Sequence, residues 1–338
     1  MTTLLVVATQ PGAGKTTLCV GLGSLLLQDG AQPAYRRLRW AGDADLQPEA
    51  DARFIAGLFG VSGACTEVPR DGEPSVASLP GVGPGGEGDT LLVEAPGGLF
   101  EEGVAAWLSP VAEALDARVL VVGRFCNALR PAKLTPLLAP LRQRLAGLVI
   151  NAVPSERRGW VGATLAPEFE RAGIAVLGQI PLDRTMLSLT VGELAQAIDG
   201  NILCCDQRSD ELLLHYLIGG RSWDPATPYL RRQSGFAFIT RGDLQDVLLA
   251  ATAAATTRSL VLTHGVAPSI AIRYRAEEAE IPIVLTPHDT VETMRRIDAA
   301  LLRLRFSHSQ KIDHWRLLLA EHLRVDALGL APAEPAAV

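Results

Sequence analysis

The segment Thr9–Thr17 constrains the fold of this 338-residue chain more than any other. It reads Thr-Gln-Pro-Gly-Ala-Gly-Lys-Thr-Thr. It follows the apolar run Leu4–Ala8, and the helix-like pattern Lys15–Gln28 begins within it. A glycine-rich loop between a buried strand and a helix presents backbone N–H groups to an anion, and the helix dipole adds positive potential at the same place. This order of elements predicts a parallel α/β sheet with a phosphate-binding loop at one end.

The side chains of the loop indicate a nucleoside triphosphate as the ligand. Lys15 is expected to reach the β- and γ-phosphates, and the hydroxyl of Thr16 to bind Mg²⁺. Thr9 occupies the position at which such loops usually have their first glycine. A chance Gly-Lys-Thr turn is the alternative, and the flanking strand and helix argue against it. The predicted nucleotide-binding residues of the loop are Thr9, Gly12, Ala13, Gly14, Lys15, Thr16 and Thr17.

A loop of this kind needs a carboxylate at the end of a neighbouring strand to hold the metal ion. Glu94 closes an apolar strand-like run just before Ala-Pro-Gly-Gly, and it is the candidate metal ligand there. Gly97 and Gly98 let the backbone pass close to a phosphate or a substrate. Lys15 and Glu94 are therefore the candidate catalytic residues, although a strand-end glutamate that merely faces solvent has the same pattern.

Short apolar runs alternate with helix-period segments through the first half of the chain, as expected for a parallel sheet covered by helices on both faces. After residues 197–200 this rhythm restarts, which predicts a second, smaller α/β domain. The expected division is 1–199, 200–306 and 307–338, the last part holding a helix and a frayed tail. The expected strands are Thr3–Ala8, one around Pro33–Leu38, Thr90–Ala95, Arg118–Gly123, Gly147–Ala152, Ile174–Gly178, Asn201–Cys205, Phe236–Thr240, Ser259–Thr263 and Ile281–Leu285.

The composition excludes several classes of function. The 31 Lys and Arg stand against 37 Asp and Glu, a formal charge of −6 with no basic block, so nucleic-acid binding is not expected. No apolar run reaches the roughly 20 residues of a membrane span, and no signal peptide is recognisable, so a cytoplasmic location away from membranes is expected. Only Lys15, Lys133 and Lys311 are lysines. The lysine in the loop therefore supports a working nucleotide site.

Together these residues resemble the dethiobiotin-synthetase-like P-loop family. Besides the loop, the resemblance rests on Val93–Gly98, Val121–Gly123 and Gly147–Asn151. It implies ATP and Mg²⁺ as cofactors, with Asn151 contacting adenine, although a strand-end asparagine alone is usually a turn former. It also implies that Asp51, in its Asp-Ala context, joins the metal site; by pattern alone Asp51 could be a helix-surface acid. The implied metal ligands are Thr16, Asp51 and Glu94.

One departure from that family concerns the end of the second strand. The family's Lys-Pro appears here as Arg36-Arg37. Arg36, with Gly97 and Gly98, is therefore only a candidate substrate contact, and dethiobiotin synthesis itself is not implied.

The resemblance extends to the N-terminal half of long phosphotransacetylases, in which a dethiobiotin-synthetase-like domain precedes a DRTGG domain. Leu244 and His264 depart from the family pattern, because an arginine and a glycine usually stand there, so ligand binding by that loop is not implied. The acetyltransferase domain of those enzymes has no counterpart in these residues, and acetyl transfer is not expected of them. The matching segments are Gly178–Arg184, Thr190–Glu193, Ile239–Asp243, Leu260–Gly265 and Pro282–Thr290.

Two functions remain open on this basis. The first, which we favour because of the domain pair, is a regulatory or metabolite-sensing protein that binds Mg·ATP, self-associates and acts with an enzyme of acetate metabolism. The second is an ATP-dependent ligase or synthetase for a carboxylate or carbamate. Arg36 and Arg37 would suit such a substrate, or they could pair with acids in the stretch Asp43–Asp51. A partitioning-type ATPase is a weaker third, because Gln10 and Pro11 replace its usual early lysine.

Overall fold

The computed structural model describes residues 2–43, 47–60, 64–70, 90–220, 234–301 and 308–330, which form two compact units. The first contains the described residues through Leu182 together with 308–330, and the second those from Asp183 to 301. The boundary expected at 199/200 lies instead between Leu182 and Asp183, and the C-terminal helix, expected to stand apart, belongs to the first unit. The segment before residue 200 joins the second unit because Val191 and Leu194 are buried in its core. The expected tail, 331–338, lies outside the described residues.

A seven-stranded, entirely parallel sheet forms the first unit. The strand order is β3-β2-β4-β1-β5-β6-β7, so that β4 and β5 flank β1. Ligands of open α/β sheets bind beyond the carboxyl ends of the strands, where the order reverses, and here that place lies beside β1. The strands are β1 Thr2–Ala8, β2 Pro33–Trp40, β3 Ala64–Val68, β4 Thr90–Glu94, β5 Arg118–Arg124, β6 Leu145–Val153 and β7 Val176–Pro181.

Helices cover both faces of this sheet. One core lies between the sheet and α3 to α5, and it includes the edge-to-face pair Trp40 and Trp107. The helices of the first unit between β1 and β7 are α1 Lys15–Gln28, α2 Gln47–Phe59, α3 Val104–Ala114, α4 Pro131–Leu138 and α5 Ala166–Arg171. Shorter helical turns occupy Ala139–Leu141, Ser155–Arg157, Arg158–Trp160 and Val161–Leu165, the last a π-helical turn.

The second unit is built on a five-stranded sheet of order β11-β12-β13-β14-β9, in which β9 is the antiparallel member. Its strands are β8 Leu189–Thr190, β9 Asn201–Cys204, β10 Leu212–Leu213, β11 His215–Ile218, β12 Phe236–Arg241, β13 Thr257–Thr263 and β14 Ile283–Leu285, with β8 and β10 paired separately. Its helices are α6 Val191–Ala197, α7 Gln245–Ala253, α8 Ile270–Glu278 and α9 Thr290–Leu301, and a 3₁₀ turn occupies Asp206–Arg208. The expected α/β class is confirmed for both units.

The last helix, α10 (Ser309–His322), packs on α1 of the first unit and precedes a 3₁₀ turn at Asp326–Leu328. The contact needs a glycine, because a Cβ on Gly21 would lie 2.2 Å from Leu319 Cδ1 and 2.6 Å from Trp315 Cδ1. Trp315 Nε1 also donates a hydrogen bond to the carbonyl of Thr17, at 2.7 Å. The helix thus supports the one that begins in the glycine loop. Within the described residues, no helix is both long and apolar enough to cross a bilayer.

Candidate functional site

The loop between β1 and α1 has the backbone shape that its glycines predict. Gly12 has φ +71° and Gly14 has φ +104°, a region that residues with a Cβ rarely adopt. Gly14 is also the N-cap of α1. A Cβ added there would lie 2.4 Å from the Asn151 side-chain nitrogen, so glycine is required on two independent grounds. The loop therefore turns tightly into the helix and directs the first backbone N–H groups of α1 towards its hollow.

Lys15 reaches across the loop, and its ammonium donates a hydrogen bond to the carbonyl of Gly97. Burial lowers the pKa of this ammonium, an effect that Glu94 opposes and Arg37 reinforces. A partly buried cation with one carbonyl partner retains further N–H donors for a phosphate. The Lys15 ammonium therefore lies against the turn between β4 and α3, and its contact with the phosphates stays a prediction.

Glu94 is the buried acid of the site and is 1% exposed. Its Oε1 accepts a hydrogen bond from the Thr16 hydroxyl at 2.9 Å, and its Oε2 accepts one from the Tyr35 hydroxyl at 2.8 Å. Burial and the neighbouring Glu94 raise the pKa of Tyr35 well above its usual value, so this phenol stays a donor. Sequence reasoning missed Tyr35. Its position two residues before Arg37, on the same face of β2, is the sequence feature that could have identified it.

Arg37 links Asp51 to the hydrogen-bonded group formed by Glu94 and Thr16. Its Nη1 lies 2.9 Å from Asp51 Oδ2 and donates to the Thr16 hydroxyl at 3.2 Å, and its Nη2 lies 3.7 Å from Glu94 Oε1. Burial lowers the pKa of the guanidinium, but Glu94, Tyr35 and Asp51 raise it by more, so the net shift is upward. Of the two alternatives for this arginine, pairing with an acid of the 43–51 stretch is the one that the geometry supports.

Arg36, the arginine expected to contact substrate, points away from this cluster. Neighbouring residues of a strand face opposite sides of the sheet, and Arg37 takes the side of Tyr35 and Thr16. The structure thus brings Arg37 rather than Arg36 to the predicted metal ligands.

The expected Mg²⁺ ligands are all present and close together, but they do not fit a metal ion as they are arranged. Thr16, Glu94 and Asp51 supply the oxygen atoms that Mg²⁺ prefers. All three already face the Arg37 guanidinium, and the second oxygen of Glu94 is bonded to Tyr35. Among the described residues no group of three His, Cys, Asp or Glu side chains is arranged to hold a metal.

The turn after β4 packs directly on the glycine loop. Leu99 and Phe100 donate backbone hydrogen bonds to the carbonyls of Ala8 and Thr9. A Cβ on Gly98 would lie 2.7 Å from the Gln10 Cα, so glycine permits this close approach. The Thr9 hydroxyl is buried and has no hydrogen-bond partner among the described residues. These contacts place Gly97 and Gly98 beside the loop, and their contact with a phosphate or a substrate stays a prediction.

Asn151 contacts the loop itself. Its side-chain nitrogen donates to the carbonyl of Ala13 at 2.9 Å, and its side-chain oxygen accepts from the backbone N–H of Ala152 at 2.8 Å. The amide therefore supports the loop from the end of β6. Contact with adenine stays a prediction.

We expect Asn151→Ala to weaken ATP and GTP binding to a similar degree, by roughly fivefold for the loss of one hydrogen bond of about 1 kcal/mol. The physical reason is that the Ala13 carbonyl loses its partner whichever base is bound. Parallel titrations of the variant with the two nucleotides measure this. A loss confined to ATP would instead support the adenine contact.

In the second unit, a backbone hydrogen bond joins the loops that follow β13 and β14. His264 donates its N–H to the carbonyl of His288 at 2.6 Å. His264 has φ +63°, a conformation that glycine adopts more easily, which explains why its replacement of a family glycine is unusual. The His288 ring lies 3.1 Å from Asp199 Oδ2, which also pairs with Arg296. These contacts hold the loops together and do not themselves form a metal site.

Comparisons with known proteins bear on both units. Residues 193–300 match the family model of the DRTGG domain. A curated phosphate acetyltransferase from Synechocystis sp. is 25% identical over 242 residues, or 67% of this chain and 34% of that protein. The chain therefore spans only about a third (34%) of the length of this relative.

Two solved structures are similar in part. The MinD cell division protein of Aquifex aeolicus matches over 55% of this chain and 85% of its own, with 19% identity and a TM-score of 0.38. The CBS and DRTGG domains of the regulatory region of Clostridium perfringens pyrophosphatase, complexed with the activator diadenosine tetraphosphate, match over 35% of this chain and 51% of their own, with 16% identity and a TM-score of 0.30. The first unit thus carries a glycine loop between β1 and α1, and residues 193–300 of the second match the DRTGG model.

Proposed function

We propose that this chain binds ATP at the glycine loop of its first unit and acts as a nucleotide-responsive regulatory protein. The observation that carries the proposal is the Lys15 ammonium, which donates to the Gly97 carbonyl beside a glycine loop that ends at the N-terminus of α1. A triphosphate would meet an ammonium, a helix N-terminus and the Thr16 hydroxyl at once, and each of these favours negative charge. ATP is proposed over GTP because the resembled family uses ATP.

The regulatory part of the proposal rests on the combination of domains. The DRTGG match covers residues 193–300, and the curated relative is a much longer phosphate acetyltransferase. We infer that the second unit passes on the nucleotide state of the first, within a homo-oligomer, to an enzyme of acetate metabolism. No acetyl transfer is assigned to these residues.

Lys15→Ala should weaken ATP binding by at least about a hundredfold, because a P-loop lysine supplies a direct charge-assisted contact to the phosphates. Isothermal titration of the full chain measures the dissociation constant. Lys133→Ala is the matched control, since Lys133 is exposed on α4, and it should leave the affinity unchanged. Equal affinity of the Lys15→Ala variant and the unmodified protein would contradict the assignment of the site.

Turnover separates this proposal from the ligase alternative. Arg37, which reaches Thr16, is already paired with Asp51 and Glu94, an arrangement that does not offer it to a carboxylate substrate. We therefore expect slow ATP hydrolysis that dicarboxylates or bicarbonate do not accelerate. Rapid, substrate-dependent release of phosphate would contradict the regulatory role.

A further inference from the structure

We propose that the Arg37 guanidinium takes the place of the divalent cation in this site, so that the chain binds its nucleotide without Mg²⁺. This inference rests on the proposed function, because it concerns the same nucleotide. It departs from the sequence-based expectation that Mg²⁺ is a cofactor, and it rests on contacts that only the folded chain reveals.

Arg37 lies where the expected metal ligands converge. The three oxygen atoms expected to surround Mg²⁺ belong to Thr16, Asp51 and Glu94, and Arg37 contacts each of them. Its Nη1 lies 2.9 Å from the Asp51 oxygen and 3.2 Å from the Thr16 hydroxyl, and its Nη2 lies 3.7 Å from Glu94 Oε1. A single guanidinium therefore occupies the place where the ligands of a metal converge.

A metal ion could not share that place with the Arg37 guanidinium. An arginine side chain stays charged at every physiological pH, so it cannot make room by losing a proton. Thr16 already donates its hydrogen to Glu94, whose other oxygen accepts from Tyr35. An arriving Mg²⁺ would meet like charge at contact distance and would have to break several of these bonds.

The Arg37 guanidinium can neutralise the phosphates in place of a metal ion. Magnesium neutralises phosphate charge, and a guanidinium does the same while donating hydrogen bonds from several N–H groups in fixed directions. Thr16 is adjacent to Lys15 in the loop, so the Arg37–Thr16 contact brings the guanidinium to the phosphate end of the site. Arg37 and Lys15 then supply two fixed positive charges for the triphosphate.

Isothermal titration with ATP, in EDTA and in excess magnesium chloride, tests the inference on the full chain. For the unmodified protein we expect dissociation constants within about twofold of each other in the two buffers. Arg37→Met should lose about tenfold or more in affinity in EDTA and regain it with magnesium, because the vacated oxygens can then bind the metal. Arg39→Met is the matched control: Arg39 lies two residues along the same strand and pairs with Glu49 and Glu67 outside the cluster.

The outcomes separate the two proposals. Tight binding by the unmodified protein in magnesium and loss of binding in EDTA would overturn the inference and leave the proposed function standing. Equal affinity of Arg37→Met and Arg39→Met in EDTA would also overturn it. Absence of ATP binding in both buffers would overturn the proposed function, and this inference with it.

Discussion

Glu94→Leu should lower the free energy of unfolding of the first unit by about 3–5 kcal/mol, the cost of removing one partner from a buried charged cluster. The carboxylate is 1% exposed and accepts the hydroxyl hydrogens of both Thr16 and Tyr35. Leucine fills a similar volume but leaves the buried Tyr35 hydroxyl without its acceptor, and it removes one of the two acids paired with Arg37. Urea unfolding followed by tryptophan fluorescence measures the change, because Trp40, Trp107, Trp160 and Trp315 all lie in the first unit.

Two companion variants make this result specific. Glu67→Leu removes the acid from an exposed pair with Arg39 on the neighbouring strand, and exposed pairs contribute about 0–1 kcal/mol. Glu94→Gln keeps one acceptor oxygen and nearly the same side-chain shape, and it should cost less than the leucine variant. If Glu94→Leu were no more destabilising than Glu67→Leu, the buried cluster would not stabilise the fold as described.

Trp315→Ala should destabilise the first unit by about 3–5 kcal/mol, the usual cost of truncating a buried tryptophan. Its indole is 3% exposed, packs against Gly21 of α1 and donates to the Thr17 carbonyl just beyond Lys15. Because this contact supports the start of α1, ATP affinity should fall as well. Urea unfolding and titration with ATP measure the two effects separately.

Leu317→Ala on the same helix is the matched control. Leu317 is 61% exposed, so its truncation should change the free energy of unfolding by no more than about 0.5 kcal/mol. If both variants were equally stable, α10 would not be an integral part of the first unit.

The central strands and the loop were predictable because their signals are local. Strand β1 is buried on both faces and reads as a continuous apolar run, and α1 begins and ends where its pattern predicts, at Lys15 and Gln28. The edge strands β3 and β11 were not predicted. Both lie at the border of a sheet and mix exposed with buried side chains, for example Glu67 beside Val68, so neither forms a run that stands out.

Several residues that lie at the glycine loop could be chosen from the sequence, but the contacts between them could not. Lys15 and Thr16 stand in the loop that follows β1, and Glu94 ends β4, so their positions could be recognised from the sequence. Alternation along β2 places Tyr35 and Arg37 on one face, but only the folded chain shows that this face looks towards the start of α1. The pairing of Trp315 with Thr17 joins residues at opposite ends of the chain, and no local pattern encodes such a contact.

Hydrogen–deuterium exchange of the full chain with and without ATP, in buffer with and without magnesium chloride, tests the nucleotide site most directly. We predict the strongest protection in peptides covering residues 9–17 and 94–98, because phosphate contacts there would hold the loop and the turn after β4 closed. We predict no protection in the Lys15→Ala variant. Protection confined to the second unit, or protection that Lys15→Ala leaves unchanged, would contradict a nucleotide site at this loop.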